Sequence, residues 1–213
     1  MATTLEELKQ AVIDGQAAQA RQLTEAALAA GERPEAIFPA ALYPAMEEVG
    51  KRLQSGDYFI PEVLMAAKAM KSAAAVLKPR LAQTGQSQPR GRVVMGTVKG
   101  DLHDIGKNLV VMMLEGAGFA VTDLGIDVPP ERFAAAVKEV RPHIVGMSAM
   151  LTTTMLQMAK VMQVLQAEGV RSQVRVMVGG APLTQAFAAE IGADAFGMDS
   201  TTAVELAKAW TPA

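Results

Sequence analysis

Between Leu5 and Leu77 apolar residues recur every three to four positions, the spacing of one helix face. Leu5, Leu8 and Val12 stand behind Thr4-Leu5-Glu6-Glu7, which reads as a capping box, and Gly15 ends that helix. Arg21, Leu23, Ala27 and Leu28 mark a second helix that stops near Gly31. Pro34 suits the first turn of a third, whose long apolar face takes in Ile37, Phe38, Ala41, Leu42, Met46, Val49 and Leu53. After the turn Ser55-Gly56-Asp57, Pro61 opens a fourth helix through Val63, Leu64, Ala67, Met70, Ala74 and Leu77, and Pro79 is predicted to end it. Four helices with short connections predict an up-and-down bundle over residues 1–81. Ala82-Gln83-Thr84-Gly85-Gln86-Ser87-Gln88-Pro89 is polar and has no apolar period, so residues 82–90 read as a linker.

Beyond the linker the period changes. Short apolar runs at Arg92 to Val98, Ala120 to Leu124, His143 to Ser148, Val174 to Val178 and Ala195 to Gly197 read as strands. Helical patterns separate or follow them: Ile105 to Gly116, Pro130 to Val140, Thr152 to Glu168, Leu183 to Ile191 and Thr201 to Trp210. Alternation of this kind predicts an α/β domain over residues 91–213, a parallel sheet with helices on both faces. Five strands favour a flavodoxin-like order over the six-stranded dinucleotide fold.

Composition narrows the function. The chain has 213 residues, half of them apolar, and a net charge of −2 with both signs interspersed. No basic footprint for nucleic acid is visible. The absence of cysteine removes disulfides, thiolate metal sites and Cys nucleophiles, and fits a reducing compartment. The polar, acidic start Met1-Ala2-Thr3-Thr4-Leu5-Glu6-Glu7 is unlike a signal peptide, and no apolar run is long enough to span a bilayer. The expectation is a cytoplasmic protein without a membrane partner. The 14 Met residues read as adaptable core packing.

The candidate chemistry lies in the loop after the first strand, Gly96-Thr97-Val98-Lys99-Gly100-Asp101-Leu102-His103-Asp104-Ile105-Gly106-Lys107-Asn108. Open α/β sheets bind ligands at such carboxyl-end loops. The loops around Ser148 to Thr154, Gly179 to Pro182 and Gly197 to Thr201 should gather on the same edge, supplying glycines and hydroxyls that suit a large, mostly neutral cofactor. Gly106-Lys107-Asn108 resembles the end of a P-loop, but Asp101 stands where the earlier glycine is needed and Asn108 where Ser or Thr is. No G-x-G-x-x-G follows the first strand, which excludes a nicotinamide fingerprint, whereas an FMN site stays open. His103 reads as a metal ligand oriented by Asp101; a loop histidine merely capped by that aspartate is the bland alternative. One histidine cannot hold zinc alone, but it can be an axial ligand to a metal already held by a macrocycle. The other histidine, His143, follows Pro142 at a strand start and reads as a residue that caps or packs.

Asp101-x-His103-x-x-Gly106, followed by Ser148-x-Met150-Leu151-Thr152 and then Gly179-Gly180, resembles the cobalamin-binding domain of cobalamin-dependent methionine synthase. It resembles more closely the small corrinoid proteins of methanogens and acetogens. Leu42-Tyr43-Pro44-Ala45-Met46-Glu47-Glu48-Val49-Gly50 and Gly56-Asp57-Tyr58-Phe59-Ile60-Pro61-Glu62-Val63-Leu64 are similar to that family's helical cap. The resemblance implies cobalamin or a related cobamide bound base-off, with His103 as lower axial ligand of cobalt, Asp101 as its partner and Thr154 completing a relay. It implies Ser148, Leu151, Thr152, Gly179, Gly180, Asp199 and Ser200 around the nucleotide tail, with Asp104 and Gly106 beside the ligand loop. It implies Leu53 and Ile60 over the upper face. The function implied is a methyl carrier, not catalytic by itself. Its partners would be a substrate-specific methyltransferase, a methyltransferase using tetrahydrofolate or coenzyme M, and a reductive activator of the corrinoid. A cobalamin-binding sensor is the alternative.

Overall fold

The computed structural model describes residues 2–84 and 89–211. The chain divides into two compact units, Met1–Gln88 and Pro89–Ala213. The first contains α1 (Ala2–Ile13), α2 (Ala17–Ala29), α3 (Pro34–Ile37), a π-helical turn (Phe38–Leu42), α4 (Tyr43–Ser55) and α5 (Ile60–Thr84). Leu8, Val12, Ile37, Leu42, Met46, Val49, Val63 and Leu77 are fully or almost fully buried and form its core. The π-helical turn falls just before Pro44, which has no N–H for the Ala40 carbonyl and whose ring crowds it; a widened turn relieves both.

Two expectations for this unit need correction. The first helix begins at Ala2, so Thr4 and Glu7 lie inside it and do not form a capping box. Ala2 is a strong helix former and extends the helix past the expected cap. Pro79 does not end α5, which runs on to Thr84 and so takes in the first three residues of the expected linker. Leu77 and Leu81 are both buried on either side of Pro79. Their burial offsets the cost of an interior proline, roughly 3 kcal/mol. Of the other linker residues, 85–88 lie outside the described residues, and Pro89 and Arg90 belong to the second unit.

The second unit contains β1 (Arg92–Thr97), α6 (Ile105–Gly116), β2 (Ala120–Asp123), α7 (Pro130–Val140), β3 (Ile144–Ser148), α8 (Thr152–Ala167), a 3-10 turn (Arg171–Gln173), β4 (Arg175–Gly179), α9 (Gln185–Glu190), β5 (Ala195–Phe196) and α10 (Ser200–Trp210). All strand pairs are parallel, in the order β2-β1-β3-β4-β5. That is the flavodoxin-like order expected. Val94, Val145, Met147, Val176 and Val178 from the sheet bury against Phe133, Val137, Met158, Val161 and Leu165. His143 lies just before β3, and its Nδ1 accepts the Arg92 amide at 3.0 Å, the first of the two roles expected of it.

The order fixes where a ligand can sit. The chain leaves β1 toward β2 on one side, while β3 lies on the other. The loops after β1 and β3 therefore diverge and open a crevice at the carboxyl edge. Register places Thr97, Ser148 and Gly179 side by side at that edge.

Candidate cofactor site

β1 ends at Thr97, and the chain turns through Val98-Lys99-Gly100-Asp101. The Asp101 amide donates to the Val98 carbonyl at 3.1 Å, and Gly100 adopts φ +80°. A positive φ at the third turn position is what glycine supplies without strain. The turn drives Asp101 inward, leaving it only 1% exposed.

Four donors meet the buried carboxylate. Oδ1 accepts the His103 amide at 3.1 Å and lies 2.7 Å from His103 Nδ1. Oδ2 accepts the Met150 amide at 2.7 Å and the Thr154 hydroxyl at 2.6 Å. Burial alone would raise the Asp101 pKa. The hydrogen bonds from Met150, Thr154 and His103 outweigh it and hold the carboxyl well below the usual carboxylate range. An ionised carboxylate only accepts, so Nδ1 carries a proton, and in the neutral ring the lone pair is on Nε2. Nε2 has no hydrogen-bond partner among the described residues, and the His103 side chain is 55% exposed. The ring is thus held at Nδ1 by a buried carboxylate while most of the side chain is open to solvent.

The support is spread over three elements. Thr97, fully buried at the end of β1, donates its hydroxyl to the His103 carbonyl at 2.9 Å. Thr154 is on the first turn of α8, whose amino-terminal dipole favours a nearby anion. The Leu151 amide donates to Thr154 Oγ1 at 3.3 Å, which fixes the hydroxyl from its other side. Asp127, on the loop after β2, accepts the Gly100 amide at 2.7 Å and donates its own amide to the Asp101 carbonyl at 3.0 Å. Sequence reasoning missed Asp127, because nothing local to it shows that β2 lies beside β1. It also missed Lys107, a buried lysine that pairs with Asp123 and donates to Asn108 Oδ1 at 2.7 Å. That pairing turns Lys107 inward and completes the case against a P-loop.

The other expected residues divide. Ser148 ends β3 half-buried, and Leu151 and Thr152 are exposed at the start of α8. Asp104 precedes α6 and accepts Asn108 Nδ2 at 3.0 Å. Asp199 caps α10, accepting the Thr202 amide at 2.7 Å, and Ser200 is buried in its first turn. A side chain at Gly180, where φ is +133°, would put Cβ 1.8 Å from the Ala149 carbonyl oxygen. That glycine is required by the packing of the chain itself. In the first unit Leu53 is half-buried and Ile60 is 42% exposed. Neither belongs to the bundle core.

Residues 91–207 match the model of the B12 binding domain, and residues 4–78 match a second model of the same description. The chain belongs to the B12-binding family. Among relatives of this B12-binding chain, the trimethylamine corrinoid protein of Methanosarcina barkeri is 43% identical over 202 residues, covering 94% of this chain and 93% of that protein. A cobalamin-binding protein from Desulfitobacterium hafniense DCB-2 superposes with a TM-score of 0.80 at 34% identity, covering 97% of this chain and 98% of its own. The methanol:cobalamin methyltransferase complex MtaBC from M. barkeri contains a chain with a TM-score of 0.88 at 30% identity, covering 97% of this chain and 79% of that one.

The site's own surface fits a corrinoid. No group of three or more His, Cys, Asp or Glu among the described residues could hold a bare metal ion. Leu102, Ile105, Met150 and Met198 are exposed on the carboxyl-edge loops, an apolar rim suited to a macrocycle. Gly106 faces open space, with nothing within 4 Å of where its Cβ would stand. Packing within the unit therefore gives no reason for a glycine there.

Proposed function

We propose that this chain carries a methyl group on the cobalt of a base-off cobamide, with His103 as the lower axial ligand, between two methyltransferases. The first takes the methyl from a small substrate and the second passes it to tetrahydrofolate or coenzyme M. The observation that carries the reading is the outward Nε2 of an imidazole whose Nδ1 is fixed on a buried carboxylate. The names of the relatives, a trimethylamine corrinoid protein and a methanol:cobalamin methyltransferase complex, favour a carrier over a sensor.

Bound cobamide supplies the organometallic chemistry of accepting and releasing the methyl group. The chain's residues supply ligation, burial and access. Asp101 accepts the Nδ1 proton of His103, which raises the basicity of Nε2 when the ring binds and gives the ring a fixed place when it does not. Thr154 and the Met150 amide keep Asp101 ionised throughout. Ser148, Leu151, Thr152, Gly179 and Gly180 line the slot for the nucleotide tail, with Asp199 and Ser200 at its end and Asp104 and Gly106 beside the ligand loop. Leu53 and Ile60, on the helical unit, are the residues assigned to shielding the methyl. The carrier does not turn over without its partner methyltransferases, and a reductive activator restores the cobamide after adventitious oxidation. No described helix is long and apolar enough to cross a membrane, and a cytoplasmic location is part of this reading.

His103→Ala decides it. The variant loaded with hydroxocobalamin is expected to lose the absorption signature of a nitrogen-ligated base-off cobamide while keeping its thermal midpoint, since the ring is largely exposed. A spectrum identical to wild type would remove His103 from the coordination sphere.

A further inference from the structure

We propose that Asp127 is a positioning residue for His103, acting through the turn that presents Asp101. The proposal rests on His103 being the ligand.

The contacts form one strap. The loop after β2 crosses the ligand loop at four points. The Thr97 amide donates to the Gly125 carbonyl at 3.0 Å, the Val128 amide donates to the Thr97 carbonyl at 2.9 Å, and the two Asp127 bonds follow on Gly100 and Asp101. Val98 and Val128 pair as an isolated parallel bridge. Asp127 is the only side chain in this strap that reaches the turn itself. It grips the turn at both of its last two residues, one through its carboxylate and one through its amide.

The backbone of Asp127 is itself unusual. Its φ is +53°, one of two positive values among the described non-glycine residues. Asp and Asn visit this left-handed region more readily than most residues, and such conformations persist where the surroundings enforce them. A glycine would adopt it more easily but would leave the Gly100 amide without its acceptor. The residue thus combines a backbone shape with a carboxylate aimed at one amide. Lys107 steadies the same loop from behind: it pairs with Asp123, whose Oδ1 accepts the Gly125 amide at 2.9 Å. Without the Asp127 carboxylate, the peptide between Lys99 and Gly100 loses its anchor, and the turn keeps its bonds at Asp101, to the Val98 carbonyl and from the Asp127 amide. The inward carboxylate then loses its fixed angle to the His103 ring, although none of its own four donors has been removed.

Asp127→Gly and Asp127→Asn separate shape from grip. Both accept the positive φ, so both are expected to fold, but only Asn retains an oxygen for the Gly100 amide. In cofactor-free protein, Asp127→Gly should speed hydrogen exchange at the Gly100 amide about fivefold, the worth of one hydrogen bond. It should also shift the His103 ring nitrogen resonances toward a mixture of tautomers. Loaded with hydroxocobalamin, it should show a ratio of His-ligated to His-free cofactor reduced about fivefold, with Asp127→Asn close to wild type in all three readouts. Faster Gly100 exchange with unchanged ring resonances and ligated fraction would make Asp127 merely structural and overturn the proposal. So would failure of the Asn variant to restore them. The ring resonances need no cobalt, so they decide the role of Asp127 even where His103→Ala shows the ligand reading itself to be wrong.

Discussion

Two glycines near the same sheet edge, one in a loop and one in a helix first turn, meet opposite surroundings. After β4, Gly180 is closed in by the Ala149 backbone, and the chain's own packing consumes the missing side chain. After β1, Gly106 meets nothing, while polar atoms turn inward and Leu102 and Ile105 turn outward. The first loop is finished by folding alone. The second glycine, in the first turn of α6, has no such packing partner. A glycine in a binding motif therefore says little until its surroundings are known.

The sharpest way to break this contrast is Gly180→Ala. A Cβ on a carbonyl oxygen, at a φ that side chains rarely adopt, should cost on the order of 3 kcal/mol or more, seen as a lower urea midpoint or loss of soluble protein. An unchanged midpoint would mean that the loop after β4 is as open as its neighbour. Next comes Asp101→Asn, which places an amide among donors and should cost about 2 kcal/mol. Its pH dependence has a definite sign. The Asp101 pKa is lowered in the folded state, so its contribution is complete above the unfolded carboxylate value of about 4. It is lost as the pH falls from there toward the depressed folded value. Urea midpoints taken from pH 5 downward should therefore fall less steeply for Asp101→Asn than for wild type; parallel curves would contradict the assignment. The smallest effect on stability belongs to Gly106→Ala. In a helix first turn alanine should be neutral or better by up to about 1 kcal/mol. Its retention of hydroxocobalamin on gel filtration should nonetheless fall, and full retention would leave Gly106 without a role in keeping the surface clear.

Much of this arrangement is legible in the sequence, because it is local. Asp101 and His103 are two residues apart, and the strand-to-helix change around them shows which end of the sheet they occupy. Alternating strand and helix periods give the number of strands and nearly all boundaries to within a residue or two. What the sequence hides is contact between distant segments. Thr154 can be proposed by resemblance, but its bond to Asp101 requires β3 to lie beside β1. Asp127 and the Lys107–Asp123 pair require β2 on the opposite flank, and neither residue sits in a motif that marks it. The continuation of α5 past Pro79 is hidden for a similar reason: a proline is a local signal, whereas the burial of Leu81 is decided by helices elsewhere in the bundle.

Two of the bonds that hold the Asp101 carboxylate come from neither the ring nor the backbone of His103, but from the next loop and the helix that follows it. A departing imidazole would therefore leave its berth standing. The anion stays tethered, its charge stays answered, and the same nitrogen finds the same seat on its return. Under the proposed cycle, a part that docks again at every turn depends less on how tightly it is held than on whether the mooring outlasts each departure.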